Sequence, residues 1–459
     1  MSYHPVRQPG VTDRADQRSC DSEVRHPMTH ADPDAPANGP KPAWWLRPLV
    51  AALGGREATE GLWPLLGITM FATLATSAFY GYVGVWAVVE LRATPGEVGW
   101  LLMLNAVLSI VSGNVGGRIS DRIGRRPVLV GSLGALALLM MACAVVGDHK
   151  MLGFALVAAA NTVSTPAWTA RNAVVADVVG PERRAQAFSS LRVCNNLAVV
   201  TGPALVGLVL LVANWSMVFL LLGVLGLGSA VFAQAVLPGG IGTPKTREDH
   251  GGRRFGMLRD VPFLALLFST LLSFMVYVAY ARVLPIAVVS TYDLGQSTWG
   301  FLSAINPMLV VLFQGLITKR TAGVHDSWRI AVGVLLMGVP WLLLLVNHSI
   351  TMIAVVIVIF VAGEMLWAPA TQAAATDRAP EHARGAYLGA YGATMTVAWA
   401  VGPMTSLALL EREGEDAMWV FLALTGLVAS VVGLIAVRNG RREADGSAPA
   451  HEPATVAAN

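Results

Sequence analysis

The sequence predicts an all-α integral membrane protein with twelve transmembrane helices in two pseudo-symmetric six-helix bundles. Three observations lead to this fold class: the composition, the regular spacing of long apolar segments, and an internal repeat. Of the 459 residues, 54% are apolar and 13% are Asp, Glu, Lys or Arg, whereas about 25% of residues are charged in a typical soluble domain. With a mean hydropathy of +0.58, the chain has too few polar side chains to cover a soluble surface. This composition excludes a soluble enzyme, a disordered scaffold and a disulfide-rich secreted module.

The apolar segments have the length of membrane-spanning helices. A helical crossing needs about 20 apolar residues, and such segments recur from Trp63 onward. They are continuous rather than alternating with polar residues, which disfavours a β-barrel. Helices satisfy every backbone group internally and are the natural alternative. The predicted spans cover residues 64–88, 98–118, 127–147, 151–177, 186–212, 216–236, 262–289, 297–318, 329–346, 350–375, 385–410 and 418–437.

The remaining segments predict the domain organisation. Residues 1–40 are rich in Pro, Asp, Arg and His without apolar periodicity, which predicts a disordered tail and no cleavable signal peptide. A second polar stretch contains PGG and several basic residues and is interpreted as a linker. The predicted divisions are a cytoplasmic tail and lead-in over 1–60, an N-terminal bundle over 61–237, a cytoplasmic linker over 238–260, a C-terminal bundle over 261–438 and a disordered cytoplasmic tail over 439–459.

The distribution of basic residues predicts the orientation in the membrane. The odd-to-even connections hold little more than Arg92, Lys150 and Arg412. By the positive-inside rule, both termini of this multi-pass protein are predicted to be cytoplasmic. The predicted location is the plasma membrane. The even-to-odd connections carry most of the remaining basic residues: Arg118, Arg122, Arg125, Arg126, Arg183, Arg184, Lys245, Arg247, Arg253, Arg254, Arg259, Lys319, Arg320, Arg378 and Arg384.

The two halves of the chain repeat each other at an offset near 200 residues. Six-span halves of equal topology are related by an axis along the membrane normal and can rock about a central site. The matching features are Asp177 with Asp377, Arg184 with Arg384, Gly202-Pro203 with Gly402-Pro403, Gly99 with Gly300, and Asn105 with Asn306.

One connection carries a recognisable motif. Between spans 2 and 3 the sequence reads GRISDRIGRR over 117–126. This segment resembles the signature loop of the major facilitator superfamily, G-x-x-x-D-R-x-G-R-R, at every defining position. The resemblance covers about 64–437 and implies an alternating-access transporter with spans 1, 4, 7 and 10 around a central cavity. The corresponding segment of the second half, LITKR over 316–320, is degenerate.

The resemblance implies that this loop gates the cytoplasmic side. Gly117 permits close helix packing, and Asp121 would meet the positive N-terminal end of a neighbouring helix, span 11. Arg125 can pair with Asp177 at the base of span 4. Such contacts would close the cytoplasmic side in the outward-facing state and break on inward opening, although the arginines could also be topology markers alone. The predicted gating residues are Gly117, Asp121, Arg122, Gly124, Arg125, Arg126 and Asp177.

Span 5 contains a partial second motif. Gly202, Pro203 and Gly207 resemble the antiporter motif of drug:proton exporters in this superfamily, while Ser189 and Ala198, together with Val206, replace its other glycines. The proline removes one helix hydrogen bond and allows a bend. These three residues are predicted to form a helix kink. A packing kink without directional meaning is the alternative.

A carboxyl group in span 10 is the candidate for proton coupling. Glu364 lies about 14 residues, or about 21 Å, from the outer end of its span. Ionisable groups inside a span are costly and usually functional. Removal from water favours the neutral form of a carboxyl group, which suits a group that takes up a proton on one side and releases it on the other. A structural carboxylate satisfied by neighbouring groups is the alternative.

The candidate cavity residues are polar or aromatic side chains within the spans. Arg171 could attract an anionic substrate, but pairing with Asp177 and snorkelling to the inner interface is the favoured interpretation; Arg192 poses the same question. Arg282 is either an interface anchor or an outer gate. Polar side chains such as Asn105 usually bond between helices, and aromatic rings can hold flat or cationic compounds. The predicted cavity residues are Tyr80, Trp168, Arg171, Tyr277, Trp367, Asn105 and Asn306.

The sequence therefore predicts a transporter. It contains no phosphate loop, nucleophile–base pair or metal-ligand cluster, so we expect neither an enzyme nor a cofactor or metal. The predicted function is proton-coupled efflux of hydrophobic drug-like compounds or metabolites. The alternative is proton-coupled transport of a hydrophilic or anionic solute such as a sugar, organic acid or peptide. The expected partners are a small-molecule substrate, protons and the lipid bilayer, with no nucleic acid, and the expected oligomeric state is a monomer.

Overall fold

The computed structural model describes residues 62–180, 184–238, 259–380 and 383–446, and all regular structure within these ranges is helical. The predicted N-terminal tail and most of the predicted linker and C-terminal tail lie outside the described residues. Twelve long helices carry the fold: α1 (Trp63–Val89), α2 (Pro95–Ile123), α3 (Arg125–Cys143), α4 (Lys150–Val178), α5 (Arg184–Val209), α6 (Trp215–Val236), α7 (Val261–Arg282), α8 (Gln296–Arg320), α9 (Asp326–Gly338), α10 (Ile350–Asp377), α11 (Arg384–Glu413) and α12 (Glu415–Gly446).

Eleven helical segments of the described chain are long and apolar enough to cross a membrane, and α4 is not among them. Its 29 residues would still extend over about 43 Å at 1.5 Å per residue. It packs along α2 and α3, both of which meet the criterion. Polar side chains lower its apolar content, among them Asn161, Thr162, Ser164 and Thr165. The predicted all-α membrane fold is confirmed, with α4 as its polar member.

Helix packing follows the sequence repeat. In the first half α1 packs against α5 and α6, α3 packs against α4 and α6, and α2 packs against α4. The second half has the same pairs six helices later: α7 with α11 and α12, α9 with α10 and α12, and α8 with α10. Between the halves the principal contacts are α2 with α11 and α5 with α8, which a two-fold relation exchanges. The repeat therefore determines which helices meet.

The segment predicted as the motif loop is almost entirely helical. Residues 117–123 form the last two turns of α2, and Arg125 begins α3. Gly124 between them has φ 95°, a left-handed conformation that a residue with a Cβ adopts only at a cost. Its polar sequence suggested a loop, but charged side chains near a helix end reach water without breaking the helix.

Two further spans depart from the predicted continuous helices. After Arg282 the chain forms the short helix Leu284–Ile286 and then a π-helical turn, Ala287–Thr291. Helix α9 continues as a 3₁₀ segment, Val339–Leu345. Each irregular segment begins at or close to a proline, Pro285 or Pro340, which cannot donate a backbone hydrogen bond.

The two halves touch at one end of the helices. We call the end with the α2–α3, α4–α5, α8–α9 and α10–α11 connections the basic end, and the other the opposite end. Near the opposite end a Cβ added to Gly207 would lie 2.9 Å from Cα of Gly300, so α5 and α8 are in backbone contact. A Cβ on Gly99 of α2 would lie 3.1 Å from Cα of Met404 in α11. Small residues permit both approaches.

Helices α2 and α11 separate toward the basic end. Gly117 lies 18 residues, five helical turns of about 3.6 residues, from Gly99 and therefore on the same face of α2. A Cβ there would meet no described atom within 4 Å. The side chain of Asp121 is 52% exposed. The predicted contact of Asp121 with the N-terminal end of span 11 is therefore absent from the described chain, because α2 and α11 diverge.

Candidate functional site

Glu364 forms the centre of the site in the second half. It lies at the middle of α10, whose first turn is capped by the Ser349 hydroxyl accepting from the Met352 amide at 3.2 Å. Asn306 of α8 donates its side-chain amide to the Glu364 carboxylate at 2.7 Å. Tyr280 of α7 stacks on Phe360, about one helical turn before Glu364, at 5.1 Å between ring centroids. Three helices thus position one half-buried acid.

Aromatic rings pack beside this acid. Tyr277 stacks on Phe360 at 6.2 Å between ring centroids, and Trp367 lies edge-on to Phe274 at 4.7 Å. Tyr277 is half-buried, but Trp367 is buried. Trp367, predicted as a cavity residue, is therefore a packing residue behind the acid in this conformation. Asn306 is also buried, and its amide contacts Glu364 rather than open space.

The corresponding region of the first half is neutral. The Tyr80 hydroxyl of α1 and the Ser164 hydroxyl of α4 are 3.1 Å apart. Asn161 of α4 donates to the backbone carbonyl of Asn105 at 2.6 Å and to the hydroxyl of Ser109 at 2.8 Å. Asn105, predicted as a cavity residue, is buried and joins α2 to α4. These contacts are hydrogen bonds between helices, as expected for polar groups in spans.

Arg171 is a buried cation in this half. It is 5% exposed, donates from Nη1 to the Thr73 hydroxyl at 3.1 Å, and lies 4.5 Å from the centroid of the Trp168 ring. Its Nη2 is buried and has no hydrogen-bond partner among the described residues. Trp168 is 52% exposed and gives this cluster its accessible face.

The favoured interpretation of Arg171 as a partner of Asp177 is wrong. Positions 171 and 177 are six residues apart, which places them about 120° apart around the helix axis. Asp177 instead accepts a hydrogen bond from Nε of Arg125 on α3. Arg192 is exposed on α5.

The predicted gating residues form contacts within the first half. Besides its bond to Asp177, Arg125 places Nη1 3.4 Å from Asp121, and Arg126 donates to the carbonyl of Gln234 at 2.5 Å. Arg122 is exposed. The structure brings Arg125 and Asp177 together, and their gating role stays a prediction.

Arg282 connects the halves between the middle of the spans and the opposite end. Its Nη1 donates to the backbone carbonyl of Tyr80 in α1, and its guanidinium lies 5.3 Å from the Trp399 ring of α11 and 5.8 Å from the Tyr80 ring. Tyr82 of α1 also donates to the carbonyl of Gln296 at 2.9 Å. Of the two sequence-based interpretations of Arg282, the outer-gate position fits this geometry.

The Gly-Pro motif of α5 is a packing surface. A Cβ on Gly202 would lie 2.2 Å from the Ser77 hydroxyl oxygen, and Pro203 packs against Gly81 of α1. Gly207 faces Gly300 across the boundary between the halves. The segment remains helical through Pro203. The three residues thus set the approach of α5 to α1 and α8.

Sequence reasoning missed several polar contacts. Asn161 and Ser164 lie on one face of α4 at helical spacing with Trp168, a signal present in the sequence. Glu411 of α11 was not predicted to make any contact, yet it accepts hydrogen bonds from the start of α2. Asp260, the last residue of the predicted linker, accepts from Arg378 at 2.6 Å and is the N-cap of α7.

Comparison with known proteins decides the family. The family model described as Major Facilitator Superfamily matches residues 65–403 and 326–458. The chain belongs to the major facilitator superfamily. A Na⁺, Li⁺, K⁺/H⁺ antiporter of Planococcus maritimus is 24% identical over 373 residues, covering 74% of this chain and 87% of that protein. The multidrug resistance protein MdtH of Proteus mirabilis is 26% identical over 342 residues, covering 74% and 84%.

Several solved transporter structures share the fold of this chain. The nucleoside transporter NupG superposes with a TM-score of 0.70 at 11% identity, covering 81% of this chain and 99% of that one. A peptide transporter of the POT family gives 0.68 at 16% identity, covering 83% and 96%. A bacterial homologue of the lysosomal transporter Spinster, in an inward-facing and unoccupied conformation, gives 0.66 at 15% identity, covering 83% and 98%. At these low identities the likenesses show the fold alone.

Proposed function

We propose that this superfamily member is a monomeric secondary transporter of the plasma membrane that exports hydrophobic, drug-like compounds or metabolites in exchange for protons. Glu364 is the coupling carboxylate. The multidrug relative from Proteus mirabilis supports the substrate class, and the cation/proton antiporter from Planococcus maritimus supports proton exchange.

The observation that carries the proposal is the position of Glu364. Within the described helices it is the one acidic side chain far from both helix ends. An ionised carboxylate there is costly unless it is partnered, and Asn306 supplies one donor at 2.7 Å. A neutral carboxyl accepts that bond more weakly than a charged one. Proton uptake by Glu364 therefore weakens this hydrogen bond between α8 and α10.

The separation of α2 from α11 indicates which state of the transport cycle this structure represents. The positive-inside rule supports a cytoplasmic basic end, so the structure corresponds to an inward-open state with the bundles over 61–237 and 261–438 joined on the outside. Rocking of these bundles would open the opposite end, and the pair Arg125–Asp177 would belong to the cytoplasmic gate.

A second candidate is exchange of monovalent cations for protons. The Planococcus maritimus relative, named a Na⁺, Li⁺, K⁺/H⁺ antiporter, favours it, and a carboxyl group is a suitable ligand for a hard cation. Transport of an anionic solute is less well supported, since Arg171 is covered and its guanidinium packs on Trp168.

The test uses inside-out vesicles that contain the full-length protein and an acidic lumen. Hydrophobic cations, KCl, NaCl and small organic acids are added in turn while a dye reports luminal pH. We expect hydrophobic cations to release protons through the native protein and not through Glu364→Gln. The matched control is Glu90→Gln, an exposed acid at the end of α1, which should respond like the native protein.

Glu364→Gln should still exchange labelled substrate across the membrane without a gradient, because the neutral side chain imitates the protonated carboxyl. Uphill transport by this variant would contradict the coupling role. A response to KCl or NaCl alone would favour the second candidate. A response to organic acids alone would favour transport of an anionic solute, with Arg171 as the residue to substitute next.

A further inference from the structure

Glu411 joins the two halves at the opposite end. It lies near the end of α11 and is exposed, yet its Oε2 accepts two hydrogen bonds from the start of α2. The Gly96 amide donates at 2.6 Å and the Thr94 hydroxyl donates at 3.0 Å. A carboxylate at a helix N-terminus is also favoured by the helix dipole.

The start of α2 leaves one amide for this contact. The first N–H groups of a helix have no partner within it. Pro95 has no N–H, and the Glu97 amide donates to the Thr94 hydroxyl at 3.3 Å. The Val98 amide donates to the Thr94 carbonyl at 3.1 Å. The Gly96 amide is the remaining donor, and Glu411, from the other half of the chain, fills it.

The surroundings fit a carboxylate at this place. A Cβ on residue 96 would lie 2.2 Å from Oε2 of Glu411, so glycine admits the contact and a larger residue displaces it. The neighbouring acid Glu97 is occupied elsewhere, since Lys150 donates to it at 2.7 Å. The Glu97–Lys150 pair thus reduces the repulsion that Glu97 would exert on Glu411.

We propose that Glu411 is the outer latch of the transport cycle: its carboxylate holds the start of α2 while the opposite end is closed and releases it when that end opens. The inference rests on alternating access as proposed above. It also gives the α2–α11 pair a carboxylate at each end, Asp121 near the basic end and Glu411 near the opposite end. In this structure Glu411 of α11 contacts α2, whereas Asp121 of α2 makes no contact with α11 in the described residues. A switch between two states requires that the two contacts alternate in this way.

The experiment measures distances between spin labels in the full-length protein in nanodiscs, with the three native cysteines replaced by alanine. One label pair, at Val212 and Val346, reports on the opposite end; these residues lie in different halves and are 89% and 83% exposed. A second pair, at Ile123 and Val324, reports on the basic end. The variants are Glu411→Gln and Gly96→Ala, and the matched control is Glu413→Gln, a neighbouring exposed acid.

Loss of a charge-assisted hydrogen bond predicts about a tenfold rise in the population with a long 212–346 distance. The 123–324 distance should shorten in the same molecules, and Glu413→Gln should match the native protein. Unchanged distances in both test variants would overturn the latch. If one variant misfolds, the other decides alone, since Gly96→Ala keeps the carboxylate and Glu411→Gln keeps the glycine.

These distances need neither substrate nor gradient. A protein that shows the shift but moves no compound in the vesicle assay would contradict the proposed function and leave the latch in place. A protein that transports normally with fixed distances in every variant would contradict the latch alone.

Discussion

The two halves place different chemistry at equivalent positions. Tyr80 and Ser164 of the first half correspond, 200 residues later, to Tyr280 and Glu364. In the first half two neutral hydroxyls meet at 3.1 Å; in the second a carboxylate receives an amide of Asn306. The first half shows that this fold packs well with a neutral group at that place. This comparison favours a functional role for Glu364 over a structural one.

The buried charges differ as well. Arg171 of the first half corresponds to Thr371 in the second, whose hydroxyl donates to the Trp367 carbonyl at 2.9 Å. One half thus holds a buried cation without a carboxylate partner in the described residues, and the other holds a half-buried acid. Equal helix packing with unequal charge fits the proposed proton coupling, in which one half responds to protons.

Among substitutions at equivalent positions of the two halves, Asn306→Leu is expected to lower the free energy of unfolding most. It removes the donor to Glu364 and should cost about 1.5–3 kcal/mol of the free energy of unfolding, the range for hydrogen bonds to charged groups. Asn105→Leu, the equivalent change, should cost less, because Oδ1 of Asn105 has no partner in the described structure. Thermal unfolding in detergent measures both.

In the Asn306→Leu background, Glu364→Gln should recover part of that loss, since a neutral side chain needs its donor less. Equal losses for the two asparagine variants would break the comparison between the halves.

Gly300→Ala should shift the conformational equilibrium more than Gly99→Ala. The added Cβ would lie 2.7 Å from Cα of Gly207 in one case and 3.1 Å from Cα of Met404 in the other. Overpacking costs about 1–3 kcal/mol, here only when the opposite end is closed. The label pair at 212 and 346 measures the shift, and Gly228→Ala, with no described atom within 4 Å, is the control. A larger shift from Gly99→Ala would contradict this ranking.

Arg171→Lys tests whether the buried cation of the first half is held by its shape. Lysine keeps the charge but loses the planar stack on Trp168 and the fork that reaches Thr73. We expect a loss of about 1 kcal/mol in the free energy of unfolding, whereas exposed Arg192→Lys should change little. If both variants unfold at the same temperature as the native protein, the contacts of Arg171 contribute nothing to stability.

The ion pair at the basic end should give the smallest effect. Arg125 and Asp177 are partly exposed, and such pairs contribute about 0.2–1 kcal/mol. Asp177→Asn should therefore destabilise the fold less than Asp260→Asn, because Asp260 also caps α7 through the Phe263 amide at 3.0 Å. Thermal unfolding measures this difference.

Transport gives the second measurement on this pair. Reversing the charges of Arg125 and Asp177 together should restore some of the transport lost in each single reversal. Absence of any rescue would separate this ion pair from the gate.

The sequence predicted the features that depend on composition along the chain. Apolar length located the spans, and the offset of 200 residues matched helices that do occupy equivalent places. The pairing of Arg125 with Asp177 also followed from their positions at the ends of neighbouring spans. The partner of Arg171 did not, because helical phase, rather than sequence distance, decides which face a side chain occupies.

Other features depended on the approach of distant helices. Membrane spans are selected for apolar content against lipid, and this property determines by itself that the chain crosses the membrane as helices. The contact of Glu411 with Gly96 joins residues 315 positions apart, and the divergence of α2 from α11 is a property of one conformation. Such contacts arise from packing between whole bundles, whose free energies differ little between the states of a transport cycle. Only the tertiary structure decided them.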